Sequence, residues 1–147
     1  MFARRTLLKS LGVAFCSGTP CLASDAVVAH IGGRYWLGEV KAGDHLQLVL
    51  EGKPIFVRRL TPAEVAQVGA GERERSLTEW VVLSGRCTHA GCSVHPETGP
   101  KIAWVCPCHG SAFSASGAVV HGPAVRPLEQ VAHRIDGLWL TLLQSGI

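Results

Sequence analysis

Cys87-Thr88-His89 and Cys106-Pro107-Cys108-His109 form two short motifs, C-x-H and C-x-x-H, with 16 residues between them. Each motif offers one sulfur and one imidazole nitrogen from a single loop. Two thiolates and two imidazoles bind zinc tetrahedrally, so a structural zinc site is one chemistry these residues support. A second is a 2Fe–2S cluster in which one iron takes two cysteines and the other takes two histidines. The repeated Cys-then-His spacing suits the second. Zinc would also leave Cys92 and Cys108, which lie in the same stretch, without a role. No Ser-His-Asp set and no phosphate-binding glycine loop stands out beside them.

The full loops, Cys87-Thr88-His89-Ala90-Gly91-Cys92 and Cys106-Pro107-Cys108-His109-Gly110-Ser111, resemble the two cluster loops of the Rieske iron–sulfur subunit of ubiquinol–cytochrome c reductase, the cytochrome bc complex. The resemblance implies that Cys87, His89, Cys106 and His109 bind one Rieske 2Fe–2S cluster. It also implies that Cys92 and Cys108 pair in a disulfide and that the Ser111 hydroxyl bonds a bridging sulfide. Gly52-Lys53-Pro54-Ile55-Phe56-Val57-Arg58-Arg59-Leu60-Thr61 resembles a strand of the same domain. Gly122-Pro123-Ala124 with Pro127-Leu128 resembles the rigid loop packed beside the cluster, which extends the likeness to about residues 38–143. Two positions depart from the family pattern: Phe113 stands where a tyrosine often lies, and Ala90 where a larger leucine is common.

The activity that the resemblance implies is electron transfer. Histidine ligation places less negative charge on one iron than thiolate would, which raises the potential. The exposed ring nitrogen of His89 or His109 would accept a hydrogen bond from quinol. The electron would pass to a c-type cytochrome, with cytochrome b in the same quinol–cytochrome c oxidoreductase. The paired Cys92 and Cys108, with Ser111, favour this reading. A rival is a soluble or loosely attached Rieske carrier, or the small subunit of another exported oxidoreductase such as arsenite oxidase; a short N-terminal hydrophobic run favours it.

The elements that must position these loops read mostly as β. Leu46, Leu48 and Leu50 alternate along one strand, Glu51-Gly52-Lys53 makes a turn, and Ile55-Phe56-Val57 opens the returning strand. Thr61-Pro62-Ala63-Glu64 predicts a capped helix to about Val68, ending near Gly69, with a charged loop from Gly71 to Ser76. Trp80–Leu83, Ile102–Val105, Leu128–Ile135 and Leu138–Leu143 read as strands, the last two joined by a turn at Asp136-Gly137. The expected fold is a small antiparallel β-barrel or sandwich, a Rieske domain with a cluster-binding loop subdomain and one short helix. Trp36, Trp80, Trp104 and Trp139 are expected to pack its core. His30, His45, His95, His121 and His133 lack ligand-like spacing and read as surface or structural residues.

A chain of 147 residues, 47% of them hydrophobic, matches a single modest domain. Residues 38–147 are read as that domain, 24–37 as a linker, and 1–23 as a twin-arginine-type signal or membrane anchor. Arg4-Arg5 precedes Thr6-Leu7-Leu8-Lys9 and an apolar run, Leu11 to Ala23, in the manner of an export signal. As a helix that run would span roughly 20 Å, short of a hydrocarbon core of roughly 30 Å. The location expected is the periplasmic face of a bacterial inner membrane. Arg4, Arg5 and Lys9 account for the whole formal charge of +3. The rest of the chain is balanced, which argues against a nucleic-acid partner.

Overall fold

The computed structural model describes residues 30, 31, 33–68 and 79–143. The first half contains β1 (His30–Ile31), β2 (Arg34–Trp36), β3 (His45–Leu50), β4 (Lys53–Arg59), helix α1 (Pro62–Gln67) and β5 (Trp80–Ser84). Then follow β6 (His95–Pro96), β7 (Trp104–Val105), β8 (Ala112–Phe113), β9 (Val119–His121), β10 (His133–Asp136) and β11 (Trp139–Leu142). They form three antiparallel sheets, ordered β1-β2-β11-β10, β3-β4-β5 and β6-β7-β8-β9. The fold is the mostly-β architecture expected, with one short helix among the described residues.

The central sheet explains how the other two are held. Trp80-Val81-Val82-Leu83 is an unbroken apolar run, the pattern of a strand covered on both faces. Ile55, Val57, Trp80 and Val82 face Leu37 and Leu140 of the first sheet's core. Phe56, Val81 and Leu83 face Trp104, Phe113 and both Cys87 and Cys106 on the other side. The loop-bearing sheet is therefore seated on the central sheet through an apolar layer.

The predicted hairpin is present: β3 and β4 pair in register from His45↔Arg58 to Leu50↔Lys53. Glu51 and Gly52 make its two-residue turn with φ of 52° and 73°, the paired positive angles that a tight hairpin turn needs. The capping box is present as well. Thr61 Oγ1 accepts from the Glu64 N–H at 3.2 Å, and Glu64 Oε2 accepts from the Thr61 N–H at 2.8 Å. Glu64 Oε1 also accepts from Arg58 Nη2 at 2.7 Å.

Burial pushes the Glu64 carboxyl up, but the Thr61 N–H and the Arg58 guanidinium more than offset it, leaving its pKa below 4.5. A carboxylate with a depressed folded-state pKa adds stability that is complete above its unfolded value and lost as pH falls through the folded one. Glu64→Gln should therefore flatten the acid limb of a stability–pH curve below about pH 4.5. Thr61→Ala should cost about 1 kcal/mol in urea unfolding at neutral pH. An unaltered acid limb in Glu64→Gln would count against this assignment.

Several expectations need correction. The last tight turn is one residue later than read: Asp136 pairs with Trp139, so Gly137-Leu138 makes it, with Gly137 at φ 62°. The strand read over Leu128–Ile135 is regular only from His133. Before it, Glu129 and Val131 bond to the edge of β5 and Gln130 makes one bridge to Leu83. The strand at 102–105 is confined to Trp104–Val105. Arg34–Trp36, read as linker, pairs with β11. Trp80 and Trp104 are buried, but Trp36 and Trp139 lie only half-buried, ring on ring at 5.0 Å, outside the core. The signal or anchor at 1–23, Gly69 and the charged loop from Gly71 to Ser76 lie outside the described residues. Among those described, no helix is long and apolar enough to cross a membrane.

Candidate metal centre

The two motif loops are built to one plan. In the first, the Cys87 N–H bonds to the Cys92 carbonyl and the Gly91 N–H to the Cys87 carbonyl, both at 2.8 Å. In the second, the Cys106 N–H bonds to the Ser111 carbonyl at 2.7 Å and the Gly110 N–H to the Cys106 carbonyl at 3.0 Å. Each loop thus closes on a cysteine and turns on a glycine four residues later. Gly91 and Gly110 have φ of 75° and 74°, a conformation L-residues with a Cβ adopt at a cost. Sequence reasoning assigned these glycines no role, although the shared Cys-x-x-x-Gly pattern was visible.

The Cys92–Cys108 disulfide joins the loops. Cys87 and Cys106 are free and buried, 3% and 1% exposed, and lie beside each other. His89 and His109 are exposed, with ring centroids 4.8 Å apart and planes at 85°. The expected residues are thus brought together with sulfurs inward and imidazoles outward. The sulfurs of Cys92, Cys106 and Cys108 also lie within 4.8 Å of one another, but two are spent on the disulfide and offer no metal set.

Burial pushes the Cys87 thiol up. The N–H groups of His89 and Ala90, with the Cys106 and Ser111 side chains, more than offset it, so Cys87 titrates below its ordinary value. Cys106 goes the other way: burial and the neighbouring Cys87 outweigh the N–H groups of Cys108 and His109. Ser111 is fully buried, and its Oγ accepts from the Ala124 N–H at 3.1 Å while lying within hydrogen-bonding reach of Cys87.

A third segment closes over this pair. The Gly122-Pro123-Ala124 loop is held to the second motif loop by that Ser111–Ala124 bond. The first loop holds its far end, where Thr88 Oγ1 donates to the Arg126 carbonyl at 2.6 Å. Gly122 sits so tightly on Ser111 that a Cβ would come 2.8 Å from the Ser111 nitrogen. His45, His95, His121 and His133 lie outside the two motif loops. His45 is half-buried edge-on to Phe56 and Trp104, with burial, then the Arg58 charge, holding its pKa below 6.5. His133 Nδ1 lies 2.8 Å from the Val131 carbonyl, and His95 and His121 are exposed.

Residues 37–132 match the model of the Rieske [2Fe-2S] domain. The chain belongs to the Rieske family. The Rieske subunit of the mitochondrial cytochrome b-c1 complex of Schizosaccharomyces pombe is 33% identical over 126 residues, 78% of this chain and 55% of that protein. The corresponding mouse subunit is 36% identical over 108 residues, 66% of this chain and 39% of that one. The chain spans only 39 to 55% of the length of these curated relatives. A chain of a hyperthermophilic respiratory Complex III shares the fold, with a TM-score of 0.56 at 24% identity over 80% of this chain and 79% of that chain.

The cofactor of this Rieske domain is one 2Fe–2S cluster. The donor set fits it. Two buried thiols ringed by N–H groups are suited to hold negative charge away from water, and the imidazoles of His89 and His109 stand on the open side. Among the described residues a four-cysteine centre is not available, because Cys92 and Cys108 are bonded to each other.

Proposed function

We propose that Cys87, His89, Cys106 and His109 hold the cluster, and that the chain is an electron-transfer subunit of a cytochrome bc-type complex, taking electrons from quinol and delivering them to a c-type cytochrome. The observation that carries this is the polarity of the site: both thiols are buried and both imidazoles exposed at the tip. When bound, the cluster supplies one-electron redox chemistry at a potential raised by histidine ligation. Cys87 and Cys106 anchor the inner side, and the disulfide keeps their loops in register. His89 and His109 would each hold iron through one ring nitrogen and leave the other free on the exposed side, where it could exchange a proton with quinol. The Gly122–Ala124 segment excludes water from the inner face, and Ser111 directs its hydroxyl toward Cys87. The names of the curated relatives support the assembly; the proposed setting is the periplasmic face of a bacterial inner membrane, reached through a twin-arginine signal in residues 1–23.

Purification of the tagged chain from membranes in mild detergent tests the assignment. Cytochromes of b and c type are expected to accompany it. Recovery of the chain alone in the soluble fraction would overturn it in favour of a free carrier or a subunit of another exported oxidoreductase.

Phe113 bears on the potential. It is fully buried in the same apolar group as Cys87 and Cys106, and it lacks the hydroxyl a tyrosine would bring. Phe113→Tyr is expected to raise the midpoint potential in protein-film voltammetry, because a donor beside the ligand sulfurs favours the more negative redox state. An unchanged or lower potential would remove Phe113 from this role.

A further inference from the structure

The sulfurs of the centre form a continuous chain that reaches beyond ligation. Cys106 is a free thiol whose sulfur lies within 4.8 Å of both sulfurs of the Cys92–Cys108 bridge. Cys87, the other free thiol, lies beside it. A thiol beside a disulfide is the reactant pair for thiol–disulfide exchange.

We propose that in a chain whose Cys106 is not bound to iron, the Cys92–Cys108 bridge migrates onto Cys87 and Cys106, so that iron insertion must precede the oxidation that forms the bridge. This rests on the reading of Cys87 and Cys106 as iron ligands. In the first step the Cys106 sulfur bonds to that of Cys92 or Cys108 and the original S–S bond breaks. Cys106 gives its proton to solvent, and the released sulfur takes one up. In the second step the Cys87 sulfur bonds to Cys106 and displaces the first partner, again with one proton given and one taken. One disulfide is lost and one is gained, so no oxidant or reductant is consumed. Loop closure does not oppose the change, because the two pairings enclose stretches of nearly equal length. The product carries both ligand thiols in a bridge and is barred from taking iron through them. Bound iron would hold Cys106 out of this reaction.

The test uses the full chain with Cys16→Ser and Cys21→Ser, purified with its cluster. Its iron and sulfide content reads the ligand assignment, and the cysteine pairing reads the exchange, so the two fail separately. Iron is removed by a chelator without thiol reagents, the sample is incubated, and free thiols are blocked with iodoacetamide. Tandem mass spectrometry of the unreduced peptides then locates label and bridge. In the cluster-loaded sample the Cys92–Cys108 bridge should stay intact. In the cluster-free sample the label should move from Cys87 and Cys106 to Cys92 and Cys108, with the native pairing reduced severalfold. Cys106→Ser in the same background should retain the native bridge. Label remaining on Cys87 and Cys106 in the cluster-free chain would overturn the proposal. So would bridge loss through Cys87 in the Cys106→Ser chain, because that route belongs to an unfolded chain.

Discussion

Gly122→Ala is expected to destabilise the domain by about 3 kcal/mol, more than any other single glycine replacement in the three loops around the site. Two costs add. Gly122 has φ of 104°, outside the range an alanine adopts without strain. The added Cβ would also come 2.8 Å from the Ser111 nitrogen and 2.9 Å from the Gly110 carbonyl oxygen. Both are backbone atoms of the second motif loop and cannot rotate away. Relief requires the Gly122–Ala124 segment to lift, which breaks the Ser111–Ala124 hydrogen bond and opens the inner face of the site. Gly110→Ala is the internal comparison. Its φ of 74° carries a similar strain, but nothing lies within 4 Å of the added Cβ, so its cost should be about 1 kcal/mol. Thermal unfolding of the cluster-loaded proteins should show a shift on the order of 10 °C for Gly122→Ala and a much smaller one for Gly110→Ala. Equal shifts would mean that close contact with Ser111 contributes nothing.

Replacing Cys92 and Cys108 together by alanine should release the metal centre about 100-fold faster in guanidinium. Closing a loop with a sequence separation of 16 corresponds to about 3 kcal/mol in the chain-entropy account, and each 1.4 kcal/mol is tenfold. The effect should be local. The second motif loop rests on strands of only two residues, β7 and β8, and the first runs into the two-residue β6, whereas β3, β4 and β5 pair over five or six positions. Bleaching of the visible absorbance should therefore accelerate while the far-ultraviolet dichroism of the sheets changes later and little. Simultaneous loss of both signals at the wild-type rate would contradict the view that the bridge secures the loops.

The proposed donor residues stood out in the sequence because metal ligation forces Cys and His into short fixed spacings that sequence preserves directly. The β3–β4 hairpin and the capped helix were legible for a similar reason: alternation and capping are local rules. What was not legible depends on contacts between distant segments. Arg34–Trp36 has no strong period of its own and is a strand because β11, about a hundred residues later, pairs with it. Strands β6, β8 and β9 are two or three residues long, too short to carry a period. Trp36 and Trp139 were read as core from residue type alone, yet their places at an exposed sheet leave them half covered. The role of Gly122 was invisible because Ser111, its contact, approaches from another loop.

The central claim is that two histidines and two cysteines share one 2Fe–2S cluster. Pulsed electron paramagnetic resonance of the reduced full chain, prepared with 15N-histidine, tests it most directly. The account predicts two iron atoms per chain and two histidine nitrogen couplings, with both the couplings and the cluster lost in His89→Ala and in His109→Ala. A reduced spectrum without histidine nitrogen coupling, or a chain that holds zinc and no iron, would contradict it.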